Sequence, residues 1–96
     1  MKTRTELEMT LKKLKPALTG KFKVRQIGIF GSFIRGEESV GSDIDILVAF
    51  NEPVSWEFID LKDFLEETLN LKVDLVTTEA LKPRMRNEIL QKVVYI

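Results

Sequence analysis

Two aspartates separated by one residue are the feature of this sequence that most clearly suggests chemistry. Asp43 and Asp45 lie in Ser-Asp-Ile-Asp at the start of the apolar run 44–50. Because side chains alternate across a strand, both carboxylates would project from the same face. Neighbouring anions repel and burial disfavours each charge, so a divalent cation would relieve both penalties. The pattern suggests a metal site, although two soluble aspartates at an exposed strand end have the same spacing.

A third aspartate interrupts another short apolar run. Asp74 lies in Val-Asp-Leu-Val, and charged residues are seldom placed inside such a strand unless they are paired. If its strand neighbours that of Asp45, three carboxylates would share one sheet surface, which suits phosphoryl transfer with two metal ions. The alternative is an edge-strand aspartate that faces solvent.

A glycine–serine pair follows the apolar segment 24–30 and could form a phosphate site. Gly31 allows the backbone to approach a ligand closely, and free N–H groups at a helix start bind anions. The Ser32 hydroxyl could bond a phosphate oxygen or cap the helix. Arg35 could bind a phosphate through two hydrogen bonds, or it could pair with an aspartate.

Two residue types are absent, and their absence limits the possible chemistry. The chain has no cysteine, which excludes disulfides, thiolate nucleophiles and cysteine-ligated zinc. It has no histidine, the usual general base near neutral pH. Any metal must therefore be bound by oxygen, which favours Mg²⁺, Mn²⁺ or Ca²⁺.

The charge balance argues against direct nucleic-acid binding, since fifteen basic residues offset fifteen acidic ones. The charges are unevenly placed, because residues 26–70 carry ten acids and two bases between two basic ends. No apolar run approaches the roughly 18 residues of a membrane helix, and the N-terminus lacks a signal-peptide layout. We therefore expect a cytoplasmic protein without a membrane partner.

Apolar periodicity predicts elements in the order α-β-α-β-α-β-α. The predicted elements are a helix 3–18 capped by Thr3 and ended by Gly20, a strand 24–30, a short helix to Gly36, a loop 37–42, a strand 44–50, a helix 55–69 capped by Ser55, a strand 72–76, a helix of about two turns from Pro83, and a possible strand 93–96. Residues 1–96 thus form one α/β domain, with a small mixed sheet of three to four strands flanked by helices.

Taken together, the motifs resemble a known pattern. Gly31-Ser32, ten further residues and then Asp43-Ile44-Asp45 resemble the signature of the DNA polymerase β-like nucleotidyltransferase superfamily. The block Gly-Ser-Phe-Ile-Arg-Gly…Ser-Asp-Ile-Asp-Ile-Leu-Val resembles the minimal nucleotidyltransferases, the partners of HEPN-domain proteins in toxin–antitoxin pairs. The likeness runs from residue 26 to the end. Ile34 and Glu38 depart from it, since small residues are usual at both positions, and this departure puts the substrate preference in question.

The resemblance implies a role for each motif residue. Asp43 and Asp45 would coordinate two Mg²⁺ ions, or Mn²⁺, and Asp74 would be a further metal ligand and a candidate base. The residues implied in nucleotide binding are Gly31, Ser32, Arg35 and Ser42.

The implied reaction is transfer of AMP from ATP to a tyrosine hydroxyl of a HEPN toxin, within a hetero-oligomer, which would neutralise the toxin. Two alternatives stay open: a nucleotidyltransferase subunit acting on a small-molecule hydroxyl such as that of an aminoglycoside, and a catalytically idle antitoxin that acts by contact alone.

Overall fold

The chain forms a four-stranded sheet with helices packed on it. The computed structural model describes residues 3–35 and 43–96. In chain order the elements are α1 (Arg4–Phe22), β1 (Val24–Phe30), α2 (Ser32–Arg35), β2 (Ile44–Phe50), α3 (Trp56–Leu69), β3 (Val73–Thr77), a 3₁₀ turn (Thr78–Ala80), α4 (Pro83–Lys92) and β4 (Val94–Tyr95). The predicted fold class is confirmed, and so is the terminal strand. The predicted loop 37–42 lies outside the described residues.

The sheet is mixed, with strand order β3-β2-β1-β4. β2 runs parallel to β3, whereas β1 is antiparallel to both β2 and β4. A parallel pair needs a crossover connection, and α3 provides it. The register places Asp45 opposite Asp74 and also opposite Phe30. Residues distant in the chain therefore meet at one end of the three longer strands.

One face of the sheet is packed against α1 and α3. Alternate residues of the central strand, Ile44, Ile46 and Val48, are fully buried in the same core cluster as leucines of both helices. Asp45, Leu47 and Ala49 alternate with them and therefore belong to the opposite face. Leu47 and Ala49 are buried there too. β2 is therefore covered on both of its faces.

The first helix is longer than predicted. Thr3 caps it as expected, because its hydroxyl oxygen accepts a hydrogen bond from the Glu6 N–H at 3.2 Å. The prediction that Gly20 ends the helix is wrong, since α1 continues to Phe22. Phe22 is buried one turn beyond Leu18 and packs on the Phe64 ring, with centroids 5.0 Å apart. This burial favours one more helical turn, and Lys23 then ends the helix with φ 60°.

The end of the sheet near Lys23 is closed by ion pairs. The Lys23 ammonium lies 2.7 Å from a Glu52 carboxylate oxygen and 3.2 Å from one of Glu57. Both hydrogen bonds raise the pKa of Lys23, and the one to Glu52 has the larger effect. Hydrogen bonds from the backbone N–H groups of Glu57 and Ser55 lower the pKa of Glu57 most. The hydrogen bond from the Lys23 ammonium lowers it further. The cluster links the starts of β1 and α3 to the loop after β2.

Ser55 occupies the predicted N-cap position of α3, but it does not make the predicted side-chain hydrogen bond. Its backbone N–H instead donates to the Glu57 carboxylate at 3.2 Å. A carboxylate in the first turn favours a helix start through the helix dipole. The beginning of α3 is therefore stabilised from within its own first turn.

No helix within residues 3–35 and 43–96 combines the length and the apolar character that crossing a membrane requires.

Candidate active site

A cleft of about 360 Å³ opens at the end of the sheet opposite the Lys23 cluster. Its volume falls within the range of small-molecule sites. Its walls come from the end of β1, from α2, from the two aspartate-bearing strands and from α4. The lining residues are Phe30, Gly31, Ile34, Asp45, Asp74, Met85, Glu88, Ile89 and Lys92.

Two of the predicted aspartates meet in this cleft. Asp45 and Asp74 are directly paired residues of the parallel strands β2 and β3, and neighbouring strands lie about 4.8 Å apart. Asp45 is half-buried, whereas Asp74 is exposed. Both project from the face opposite the core, because their neighbours Ile44, Val73 and Leu75 are buried in it. Two carboxylates are thus held side by side at the opening.

The glycine of the predicted phosphate turn is required by its position against Asp45. Gly31 has φ +75°, a conformation that side chains rarely adopt, and a Cβ there would overlap the Asp45 carboxylate, with Cγ only 2.8 Å away. The Ile34 N–H donates to the Gly31 carbonyl at 3.1 Å and closes the short helix α2. The backbone of the turn therefore lies directly against a carboxylate.

The other predicted site residues lie as follows. Asp43 directly precedes β2, is exposed, and is not among the residues that line the cleft. Ser32 and Arg35 are the first and last residues of α2, but their side chains, like all of Ser42, lie outside the described part of the chain. The structure thus brings Asp45, Asp74 and Gly31 together.

The two carboxylates of the cleft could hold a hard cation if further ligands completed its coordination shell. Within residues 3–35 and 43–96, no three acidic side chains are grouped as a ready-made metal site. Asp45 and Asp74 alone fit the way Mg²⁺ is commonly held in nucleotide sites, by one or two carboxylates completed by substrate phosphates and water. The donor set therefore suits a metal that arrives with a nucleotide.

One wall of the cleft was missed by the sequence analysis. The four α4 residues Met85, Glu88, Ile89 and Lys92 are spaced three, one and three apart, so they form one helix face. The helix itself was predicted, but not its position over the aspartates. The signal in the sequence was an apolar pair four residues apart, accompanied by two charges on the same face.

Comparison with known proteins gives consistent matches. The family model for the nucleotidyltransferase domain matches residues 11–96. Over 97 residues the chain is 45% identical to the protein adenylyltransferase MntA of Thermococcus cleftensis, covering all of this chain and 98% of that protein.

Two solved structures share the fold. One, assigned as a minimal nucleotidyltransferase, is 33% identical with a TM-score of 0.76, and the match covers 92% of this chain and 93% of that one. The other, a toxin–antitoxin crystal structure with AMP-PNP, is 25% identical with a TM-score of 0.74, covering 92% of this chain and 70% of that chain.

Proposed function

The chain belongs to the nucleotidyltransferase domain family and is an enzyme of that class, and from this premise we propose that it is a protein adenylyltransferase antitoxin. It transfers AMP from ATP, with Mg²⁺, to a tyrosine hydroxyl of a HEPN-domain toxin. Enzyme and toxin form a hetero-oligomer in the cytoplasm. The proposal also rests on the resemblance between the Gly31-to-Asp45 block and the minimal nucleotidyltransferases.

One observation carries the proposal: the register of β2 and β3 places Asp45 beside Asp74 in a cleft bordered by the Gly31 turn. Phosphoryl transfer needs positioning and electrostatic stabilisation, and little else from the protein. The paired carboxylates would hold the metal that provides electrostatic stabilisation, and the backbone of the Gly31 turn could help to position the triphosphate. The absence of histidine and cysteine is no obstacle to this chemistry.

Each site residue has a role in the proposed reaction. Asp45 and Asp74, with Asp43 from the residue before β2, would hold two Mg²⁺ ions, or Mn²⁺ in their place. When bound, the metal would supply positive charge that stabilises the phosphoryl transfer. Gly31 and Ser32 hold the triphosphate, together with Arg35 and Ser42.

The acceptor oxygen attacks the α-phosphorus in line with the bond to the β-phosphate oxygen. The new O–P bond forms as that bond breaks, and pyrophosphate leaves with the bonding electron pair. The proton of the acceptor hydroxyl passes to a cleft carboxylate, and Asp74 is well placed for this because it is exposed at the opening. The carboxylate then releases the proton to water.

The relatives support a protein acceptor. The MntA relative carries the name protein adenylyltransferase and matches this chain over its whole length. One structural neighbour is a toxin–antitoxin complex that contains an ATP analogue.

The test is incubation of the purified chain with ATP, Mg²⁺ and the product of a neighbouring HEPN-type reading frame, followed by intact-mass and peptide mass spectrometry. The expected result is one or more AMP masses on a toxin tyrosine and loss of toxin RNase activity. Asp45→Asn should abolish both effects. Asp60→Asn is the matched control, because Asp60 is exposed on α3, on the other side of the sheet.

Each other outcome contradicts the proposal in a distinct way. Label on a small-molecule hydroxyl, with none on the toxin, would indicate a small-molecule enzyme. Full toxin neutralisation by an Asp43→Asn/Asp45→Asn double variant that transfers no AMP would indicate an idle binding antitoxin.

A further inference from the structure

The face of α4 that borders the cleft combines two apolar residues with two charged ones. Met85 and Ile89 lie four residues apart, as do Glu88 and Lys92. The Lys92 ammonium lies 3.5 Å from a Glu88 carboxylate oxygen, and the two side chains are 61% and 71% exposed. An ion pair this exposed contributes little stability, so its partners separate at small cost.

The connection from α4 to β4 fixes the position of Lys92. Val94 follows it by two residues and pairs with Ile29, one residue before Phe30. Lys92 is therefore held near the end of β1, where the chain turns at Gly31. Met85 lies seven residues earlier, about 10 Å along the helix axis. Lys92, the last residue of α4, is thus near the glycine turn, and Met85 is farther away.

The charges in the cleft are unevenly matched to a nucleotide. Three lining residues are acidic, namely Asp45, Asp74 and Glu88, and among the described lining residues only Lys92 is basic. Carboxylates repel the phosphates of a nucleotide. A cation that can move toward the phosphates therefore has a large effect on nucleotide affinity. Lysine suits this role because it is a compact charge on a flexible four-carbon stem.

We propose that Lys92 binds the phosphates of the incoming nucleoside triphosphate, and that its ammonium pairs with Glu88 until the nucleotide arrives. On binding, Lys92 exchanges one Glu88 oxygen for a phosphate oxygen. The inference rests on the proposed function, since it assigns a residue to the same nucleotide site. It adds α4 to a site otherwise built from the sheet and the glycine turn.

The test is direct binding of ATP, GTP and CTP in the presence of Mg²⁺ by calorimetry, without toxin. Lys92→Met should weaken all three by the same factor, about tenfold or more, because it removes a charge-assisted contact to the shared phosphates. Lys92→Arg should retain most of the affinity. Lys82→Met is the matched control, because Lys82 is exposed just before α4 and does not line the cleft.

Glu88→Gln separates phosphate binding from a structural ion pair. Removing this carboxylate frees Lys92 and takes away a repelling charge, so ATP should bind about two- to fivefold more tightly. The melting temperatures of Lys92→Met and Glu88→Gln should match that of the wild type. If Lys92→Met fails to fold, the Lys92→Arg and Glu88→Gln affinities still decide the question.

Three outcomes would overturn the inference: unchanged affinity in Lys92→Met, weakening confined to one nucleobase, or equal weakening in Glu88→Gln. Each differs from failure of the proposed function. A wild-type chain that binds no nucleoside triphosphate with Mg²⁺ counts against the proposed function, whereas normal binding by Lys92→Met counts against the role of Lys92 alone.

Discussion

The two ends of the sheet use charge in opposite ways. At one end, Lys23 is placed between Glu52 and Glu57, so opposite charges pair and tie the loop after β2 to α3. At the other end, the register sets two carboxylates side by side on neighbouring strands. The first arrangement stabilises the fold. The second sets like charges side by side at a cleft, where a divalent cation would relieve their repulsion. The contrast supports this cleft as the proposed nucleotide site.

The largest expected effect comes from breaking the carboxylate pair. Asp74→Asn should lower AMP transfer on the order of 10²–10³-fold, the range found when one charge-stabilising group is removed from an active site. Without metal, its stability should stay close to that of the wild type, because Asp74 is exposed. Rates from product mass spectra and urea unfolding in EDTA check both points. A clear loss of metal-free stability would show that Asp74 has a structural role.

The next effect comes from the glycine turn. Gly31→Ala should lower the free energy of unfolding by about 1–3 kcal/mol, through its positive φ and the overlap of the new Cβ with Asp45. The rate of AMP transfer should fall as well. Gly20→Ala is the matched control, since nothing lies within 4 Å of its Cβ position and it lies inside α1, where alanine is favoured by about 0.5–1 kcal/mol. Equal stability of the two variants would contradict the prediction.

A smaller effect is expected where β4 meets β1. A Cβ at Gly28 would lie 2.7 Å from Val93 Cγ2 and 3.0 Å from the Val94 carbonyl oxygen. Gly28→Ala should therefore cost about 1–2 kcal/mol by overpacking, and should weaken ATP binding by displacing the end of α4. A third close contact would be the Tyr95 ring, at 3.2 Å. Adding Val93→Ala removes the shortest of the three contacts and should restore part of the melting temperature. No recovery would indicate that the contacts with Val94 and Tyr95 dominate.

The smallest effect on stability should come from the Lys23 cluster, and it should depend on pH. Because the pKa of Glu57 is lowered in the folded state, its contribution is present above the ordinary value of 4.5 and is lost as the pH falls through the folded pKa. Glu57→Gln should thus slightly lower stability at neutral pH and leave it unchanged in strong acid, with transfer unaffected. Urea unfolding at both pH values checks this. A difference that persists in acid would mean that packing, and not charge, is lost.

Much of the fold could be predicted from the sequence, because the two longest strands are apolar runs with clear ends. β1 and β2 were predicted at their observed bounds, since their β-branched and aromatic residues are separated by clear breaks. The end of α1 was predicted wrongly because the burial of Phe22 against Phe64 is a tertiary contact that local glycine preference cannot reveal. The predicted hydrogen bond from the Ser55 side chain is not observed. At that end of the helix the Glu57 carboxylate instead accepts a hydrogen bond from the Ser55 backbone N–H.

The candidate site was only partly predictable. The alternation of side chains in β2 and β3 placed Asp45 and Asp74 on one face, and the strand register then made them neighbours. No rule of local sequence predicts that α4 borders the same cleft, because its position follows from the pairing of β4 with β1. The roles of Asp43, Ser32, Arg35 and Ser42 stay predictions.

The pairing of β2 with β3 also has a consequence for synthesis of the protein. The α3 crossover separates Asp45 from Asp74 along the chain, so an N-terminal piece that ends before β3 lacks the second carboxylate. A growing polypeptide still attached to the ribosome lacks the paired site until β3 has emerged. Catalytic capacity should therefore arise only after β3 has been synthesised, and in a single step.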